Sequence, residues 1–235
     1  MTNQKPDSCD RFPKFLTGNA LKLIAAAAMT IDHIGVMLFP RVLLLRIIGR
    51  LALPIFAFMI AEGCKYTRNR KKYFGMIFAL GLACQTVYYL VDGSMYLSIL
   101  LTFSLSILTI YALDHWKHKK TALSALVFAG TVAAVYGLNQ VLTFDYGFWG
   151  CMLPVFAALA HGTDYDCDSM SSALLGLGLI PLFFSLGSIQ FFSFLALPLL
   201  YAYNGKKGQL NLKYFFYIFY PVHLAALQGI AWLIG

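Results

Sequence analysis

Polar residues gather in short links along the chain, and the stretches between them are almost wholly apolar. Nine apolar segments can be drawn, at about 19–39, 42–62, 73–91, 95–113, 121–142, 147–161, 171–187, 189–203 and 214–234. Each is long enough, or nearly so, for one helix to cross ~30 Å of hydrocarbon at about 1.5 Å per residue. Spanning segments must satisfy their own backbone hydrogen bonds, so such runs predict helices. No segments of roughly ten residues alternate apolar with polar, which argues against a transmembrane barrel. The pattern therefore predicts an all-α fold, a polytopic integral membrane bundle of about nine helices, eight to ten depending on how segments six to eight divide. Pro181 and Pro198 interrupt two of those shorter segments. Such breaks are tolerated where a helix is buried in protein or lines a cavity.

Composition agrees. Of the 235 residues 60% are hydrophobic and only 12% charged, with a mean hydropathy of +0.70, and a water-soluble domain of this length needs more charge. Residues 1–18 form a short polar segment, and 19–235 read as a single transmembrane helical domain with no soluble domain or strong internal repeat. The first apolar run is as long as a full span and ends at Met37-Leu38-Phe39-Pro40 without a small-x-small cleavage site, so it reads as a retained helix. The five cysteines (Cys9, Cys64, Cys84, Cys151 and Cys167) have no C-x-x-C spacing, which points to packing residues rather than a disulfide framework or zinc site.

Charge then orients the bundle. The net charge of +8 sits in links between apolar runs, which marks cytoplasmic loops rather than a nucleic-acid surface. The links 65–72, 114–120 and 204–213 hold the basic residues and fall on one side, with the N-terminus, if nine spans alternate. By the positive-inside rule that side is cytoplasmic. The link His161–Asp168 is acidic but falls on the same side, and acidic residues weigh little in orientation. Its Asp164-Tyr165-Asp166-Cys167-Asp168 run has Ser169 and Leu175 where a calcium loop needs glycine and glutamate, so no metal is expected.

An ionisable residue inside a span costs about 2.5–3.5 kcal/mol on insertion scales, which makes each one a functional hypothesis. Asp32 and His33 lie in the first apolar segment; Arg46 and Arg50, four apart and on one helical face, lie in the second. A tight corner at Pro40-Arg41 makes the two segments a hairpin, with His33 and Arg50 both roughly 10–15 Å below the surface. They predict a polar cluster in a hydrated pocket, against the plainer reading of an ion pair tying two helices together. His223, in Phe219-Tyr220-Pro221-Val222-His223-Leu224 near the middle of the last segment, either joins the cluster or bonds a neighbouring helix. Glu62 reads as an anchor for the basic link after it, Asp145 as part of an outer turn, and His115 and His118 as solvated.

The run Met29-Thr30-Ile31-Asp32-His33-Ile34-Gly35 resembles the opening of the TraX family, as does Arg46-Ile47-Ile48-Gly49-Arg50-Leu51-Ala52-Leu53-Pro54. So do Glu62-Gly63 with Thr67–Tyr73, Asp145-Tyr146-Gly147, and Tyr220-Pro221-Val222-His223-Leu224, so that the resemblance covers about 20–234. It implies a conjugation-linked inner-membrane protein whose family activity is acetylation of a pilin N-terminal amine, with acetyl-CoA as donor. The same motifs are similar to broader membrane acyltransferases, which implies His33 as the catalytic residue with Arg46 and Arg50 beside it. In that chemistry Asp32 orients a neutral His33, which takes a proton from an amine or hydroxyl or forms a transient acyl-imidazole. An arginine stabilises the oxyanion. Lys65, Arg68, Arg70, Lys71 and Lys72 either hold the phosphates of coenzyme A or serve purely as topology signals. The acceptor is a pilin-like peptide, a glycan or a small amine. Two other functions remain open on the residues alone: a proton-coupled transporter, and a non-catalytic membrane assembly factor.

Overall fold

The structure, a computed structural model, describes residues 13–93, 95–164, 166–209 and 212–234. The helices are α1 (Gly18–Met37), α2 (Leu43–Gly49), α3 (Ala52–Tyr66), α4 (Arg70–Asp92), α5 (Ile99–Lys119), α6 (Ala122–Val141), α7 (Gly147–Ala158) and α8 (Asp168–Leu186), followed by a 3₁₀ segment (Ser188–Ala196), α9 (Leu197–Tyr201) and α10 (Lys213–Ile234). Every apolar segment expected from the hydropathy pattern is thus helical. Among the described residues six helices, α2 and α3 taken together, are long and apolar enough to cross a membrane, and three shorter apolar helices accompany them.

Two boundaries differ from the pattern in an instructive way. The second apolar run is two half-helices meeting at Arg50-Leu51. Pro54 explains the break: it has no N–H to donate to the Arg50 carbonyl four residues back, and its ring crowds that carbonyl. Pro54 instead falls in the first turn of α3, where a missing donor costs little. Helix α5 runs on to Lys119, past the expected end at 113, because Lys117, His118 and Lys119 suit a helix C-terminus.

The buried centre is formed by α3, α5, α7 and α8, with Phe58, Ile107, Leu153 and Leu179 fully enclosed. Around it α6 turns Leu123, Leu126 and Val141 outward at 71%, 69% and 83% exposure, an apolar surface that suits hydrocarbon. Cys64, Cys84 and Cys151 are buried free thiols, as expected of packing residues. Cys167 is disulfide-bonded, which sequence spacing did not indicate, since spacing carries no information on contacts made through the fold. Cys9 lies outside the described residues.

The two ends of the bundle are distinct. At the basic end Leu16 bridges Tyr203, Gly18 and Asn19 donate backbone hydrogen bonds to Lys206 and Lys207, and Lys65 reaches Asp166. At the opposite end the 95–98 and 142–145 loops pair through Leu97 and Phe144, and the α1–α2 corner lies at 38–42.

Candidate functional site

The α1–α2 hairpin brings four of the expected residues together. Arg50 places Nη2 at 2.7 Å from both oxygens of Asp32, and Arg46 Nη1 approaches the same carboxylate at 2.9 Å. Gly49 makes this possible: a Cβ there would collide with the Asp32 side chain, so only glycine lets α2 approach α1 at that level. Arg50 is held further by Gln190 of the 3₁₀ segment, which accepts from Nη1 at 3.3 Å and donates to Ser193 at 2.8 Å. Its Nε donates to the Arg46 carbonyl at 3.3 Å. The two arginines therefore differ. Arg50 is buried with most of its donors engaged, while Arg46 is 28% exposed and makes one bond to Asp32, leaving N–H groups free for the cavity.

Asp32 does not orient His33. Successive helical residues point about 100° apart and do not face one another, so the carboxylate turns to the arginines and the imidazole turns to α10. There His33 Nδ1 lies 3.1 Å from His223 Nε2, and His223 Nδ1 lies 2.9 Å from the Phe219 carbonyl. A carbonyl oxygen only accepts, so His223 carries its proton on Nδ1; with both rings neutral, His223 Nε2 accepts from His33 Nδ1–H. That assignment leaves the lone pair of His33 on Nε2. The orienting partner of His33 is thus a second histidine 190 residues away. His223 is packed in turn by Phe219, stacked at 4.8 Å between ring centres, and by Tyr220, edge-on at 5.5 Å.

Two cavities flank this region of the bundle. One, of about 510 Å³, is lined by Asp32, His33, Arg46, Arg50, Tyr96 and Asp145 among others and lies toward the opposite end. The other, of about 620 Å³, starts among Lys22, Lys72 and Lys207 at the basic end and extends past Met29 and Leu80 to Phe219, Tyr220 and the first turn of α5. Phe219 and Tyr220 line the second cavity and pack on His223, whose partner His33 lines the first.

The 142–146 loop closes the first cavity, and the sequence pattern alone did not place it there. Thr102 holds the Asp145 carbonyl at 3.0 Å, and Tyr146 and Gly147 both take left-handed backbone conformations, with φ of 60° and 58°. A tyrosine in that region is strained and persists because its surroundings hold it; its ring lies 5.9 Å from the Arg50 guanidinium. Burial pushes the Asp145 carboxyl up to about 7, although nearby Arg50 pulls it down and Tyr96 donates a hydrogen bond to it. The spacing of Asp-Tyr-Gly, a glycine after a turn-forming pair, was the available signal.

The basic link divides. Lys65 pairs with Asp166 at 2.5 Å, and Arg70 pairs with Asp114 at 2.6 Å. Arg68 and Lys71 are exposed, and of the five Lys72 lines the second of the two cavities described above. Glu62 faces His161 at 4.0 Å and lies within the field of Lys65 of the basic link, and burial lowers the His161 imidazole to about 4. His115 and His118 are exposed, as expected.

A polytopic helical membrane protein with a buried arginine–carboxylate–histidine site is the class these observations define. The chain belongs to the TraX family, whose model, described as TraX protein, matches residues 17–231. It is 30% identical to a probable fimbrial assembly protein, FimC of serogroup H1, from Dichelobacter nodosus, over 88% of this chain and 92% of that protein. A shorter stretch of 38 residues is 58% identical to an uncharacterized protein, RP591, of Rickettsia prowazekii, and covers 16% of this chain. No solved structure matches.

Proposed function

We propose that the protein is a membrane-embedded acyltransferase that moves an acyl group, acetyl by family resemblance, from acyl-CoA at the basic end to an amine or hydroxyl acceptor at the opposite end. One observation carries the reading: His33, whose Nδ1 lies 3.1 Å from His223 Nε2, shares a cavity wall with Arg46, and the neutral tautomers assigned above leave its Nε2 able to take a proton. In this reading the chain crosses the bacterial inner membrane nine times, with α2–α3 and the 3₁₀ segment with α9 each counting once. The basic end is cytoplasmic by the positive-inside rule.

His33 Nε2 takes the proton of the acceptor N–H or O–H as that atom attacks the thioester carbonyl carbon. Arg46, with donors to spare, stabilises the oxyanion. When the C–S bond breaks, the proton passes from His33 to the leaving thiolate, giving free coenzyme A thiol and an acylated acceptor. Asp32 and Arg50 hold Arg46 in place. A transient acyl on His33 Nε2 is the covalent variant of the same chemistry. A pilin-like N-terminal amine is the favoured acceptor, supported by the family and by the fimbrial assembly name of the relative.

The test is turnover. Purified protein in lipid nanodiscs with labelled acetyl-CoA and a pilin N-terminal peptide is expected to transfer label, with losses on the order of 10²–10³-fold in Arg46→Ala and to background in His33→Ala. Equal rates in wild type and both variants contradict the proposal. A histidine pair beside two cavities also suits a proton-coupled carrier. Substrate uptake into proteoliposomes under a proton gradient, without thioester cleavage, favours that second reading.

A further inference from the structure

Cations at the basic end fall into two groups. Lys14, Lys65 and Arg70 are paired with Asp168, Asp166 and Asp114 at 3.5, 2.5 and 2.6 Å. Lys117 is also engaged: its Nζ donates to the carbonyls of Ala158, Leu159 and His161 at 2.9, 2.7 and 3.0 Å, closing the C-terminus of α7. By contrast Lys22, Lys72 and Lys207 form no ion pair among the described residues, and all three line the mouth of the 620 Å³ cavity. They come from α1, α4 and the 204–207 turn, and the turn is fixed by the backbone bonds of Gly18 and Asn19. Lys22 lies within the field of Lys207. Two like charges held together at a cavity mouth are unfavourable until an anion joins them. Deeper in, the walls become apolar, with Met29, Met76, Leu80, Leu100 and Phe219.

We propose that this cavity is the binding site for acyl-CoA, with Lys22, Lys72 and Lys207 on its phosphates and the apolar walls around its pantetheine arm and acyl group. The identity of the ligand rests on the acyl-transfer reading; the cationic mouth and apolar shaft do not. Reach agrees with this. Lys22 and His33, eleven residues apart on α1, differ in height by roughly 16 Å, and an extended pantetheine arm spans about as much as four peptide residues, roughly 14 Å. The thioester then lies against Phe219 and Tyr220, which pack on His223, so transfer on the His33 and Arg46 side requires the Phe219 ring to swing aside. A phospholipid offers a phosphate and a chain too. Three cations on three separate elements suit the three phosphate groups of coenzyme A better than the single phosphate of a lipid.

Binding decides it. The full chain in phosphatidylcholine nanodiscs is titrated with coenzyme A, with dephospho-coenzyme A and with phosphatidylglycerol, as wild type, Lys22→Gln/Lys72→Gln/Lys207→Gln and His33→Ala. The expected result is coenzyme A affinity at least 10-fold weaker in the triple variant and unchanged in His33→Ala. Dephospho-coenzyme A should bind wild type several-fold less well, and phosphatidylglycerol should not compete. If the triple variant fails to fold, Lys72→Gln and Lys207→Gln singly should each raise KM for acetyl-CoA several-fold with kcat kept. Unchanged affinity in the triple variant, unchanged KM in both single variants, or displacement of coenzyme A by phosphatidylglycerol overturns the donor site. Turnover that persists in the triple variant with unchanged affinity leaves acyl transfer standing without this site. Lysine-dependent binding without any turnover leaves the site standing without acyl transfer.

Discussion

Arg46 and Arg50, four residues apart and chemically identical, are given different work by their surroundings. Arg50 neutralises Asp32 inside a closed set of bonds with Gln190 and the Arg46 carbonyl. Removing it leaves the half-buried Asp32 carboxylate with Arg46 alone and the buried Gln190 without its donor, so Arg50→Ala is expected to destabilise the fold by about 1–3 kcal/mol. Thermal unfolding in detergent measures this. Arg46→Ala should leave stability nearly unchanged and lower turnover instead. Asp145 supplies a pH-dependent counterpart. Burial raises its carboxyl to about 7, above the ordinary aspartate range, so its contribution to stability is full below about pH 4 and is lost as pH rises through about 7. Asp145→Asn should flatten the melting temperature over that window, whereas a wild-type slope that survives the substitution contradicts the assignment. Of the residues at the site, Asp32, His33, Arg46 and Arg50 were legible because charges stand out in apolar runs. Gln190 and Tyr96 were not, since neutral polar and aromatic residues occur throughout membrane helices for packing and interfacial reasons. The His33–His223 contact joins residues at opposite ends of the chain, and a pattern with a period of a few residues cannot reveal it.

At the scale of elements, two small features shape the site. Pro54 divides the second span at Arg50-Leu51, and its place four residues after Arg50 was a readable signal of the break. Gly49 sets the distance between α1 and α2. Gly49→Ala is expected to push Asp32 away from both arginines and to abolish turnover even where the protein still inserts and folds, measured with the same labelled-donor assay. Helix α10 contributes His223 and the Phe219 ring. Phe219 lines the inner cavity and stacks on His223, so Phe219→Ala should join the two cavities. The expected readout is faster acetyl-CoA hydrolysis without acceptor, several-fold over wild type. An unchanged hydrolysis rate would mean that the Phe219 ring does not limit access.

For the whole molecule, hydropathy alone predicted the helical membrane bundle and the approximate segments, because a bilayer penalises every exposed backbone group and leaves few alternatives. The two ends were also legible from the distribution of lysine and arginine. What hydropathy could not convey is that the bundle holds two cavities, one lined by His33 and one by the Phe219 and Tyr220 rings that pack on its partner His223, which depends on how α10 packs against α1 and α4. The account depends on the proton arrangement within the histidine pair. Nitrogen-15 spectra of histidine-labelled protein at neutral pH, with His33 and His223 assigned by substitution, report it directly. The prediction is that both rings are neutral with the proton on Nδ1, and that His33 Nε2 is bare. A His33 ring protonated on Nε2, or on both nitrogens, contradicts the account.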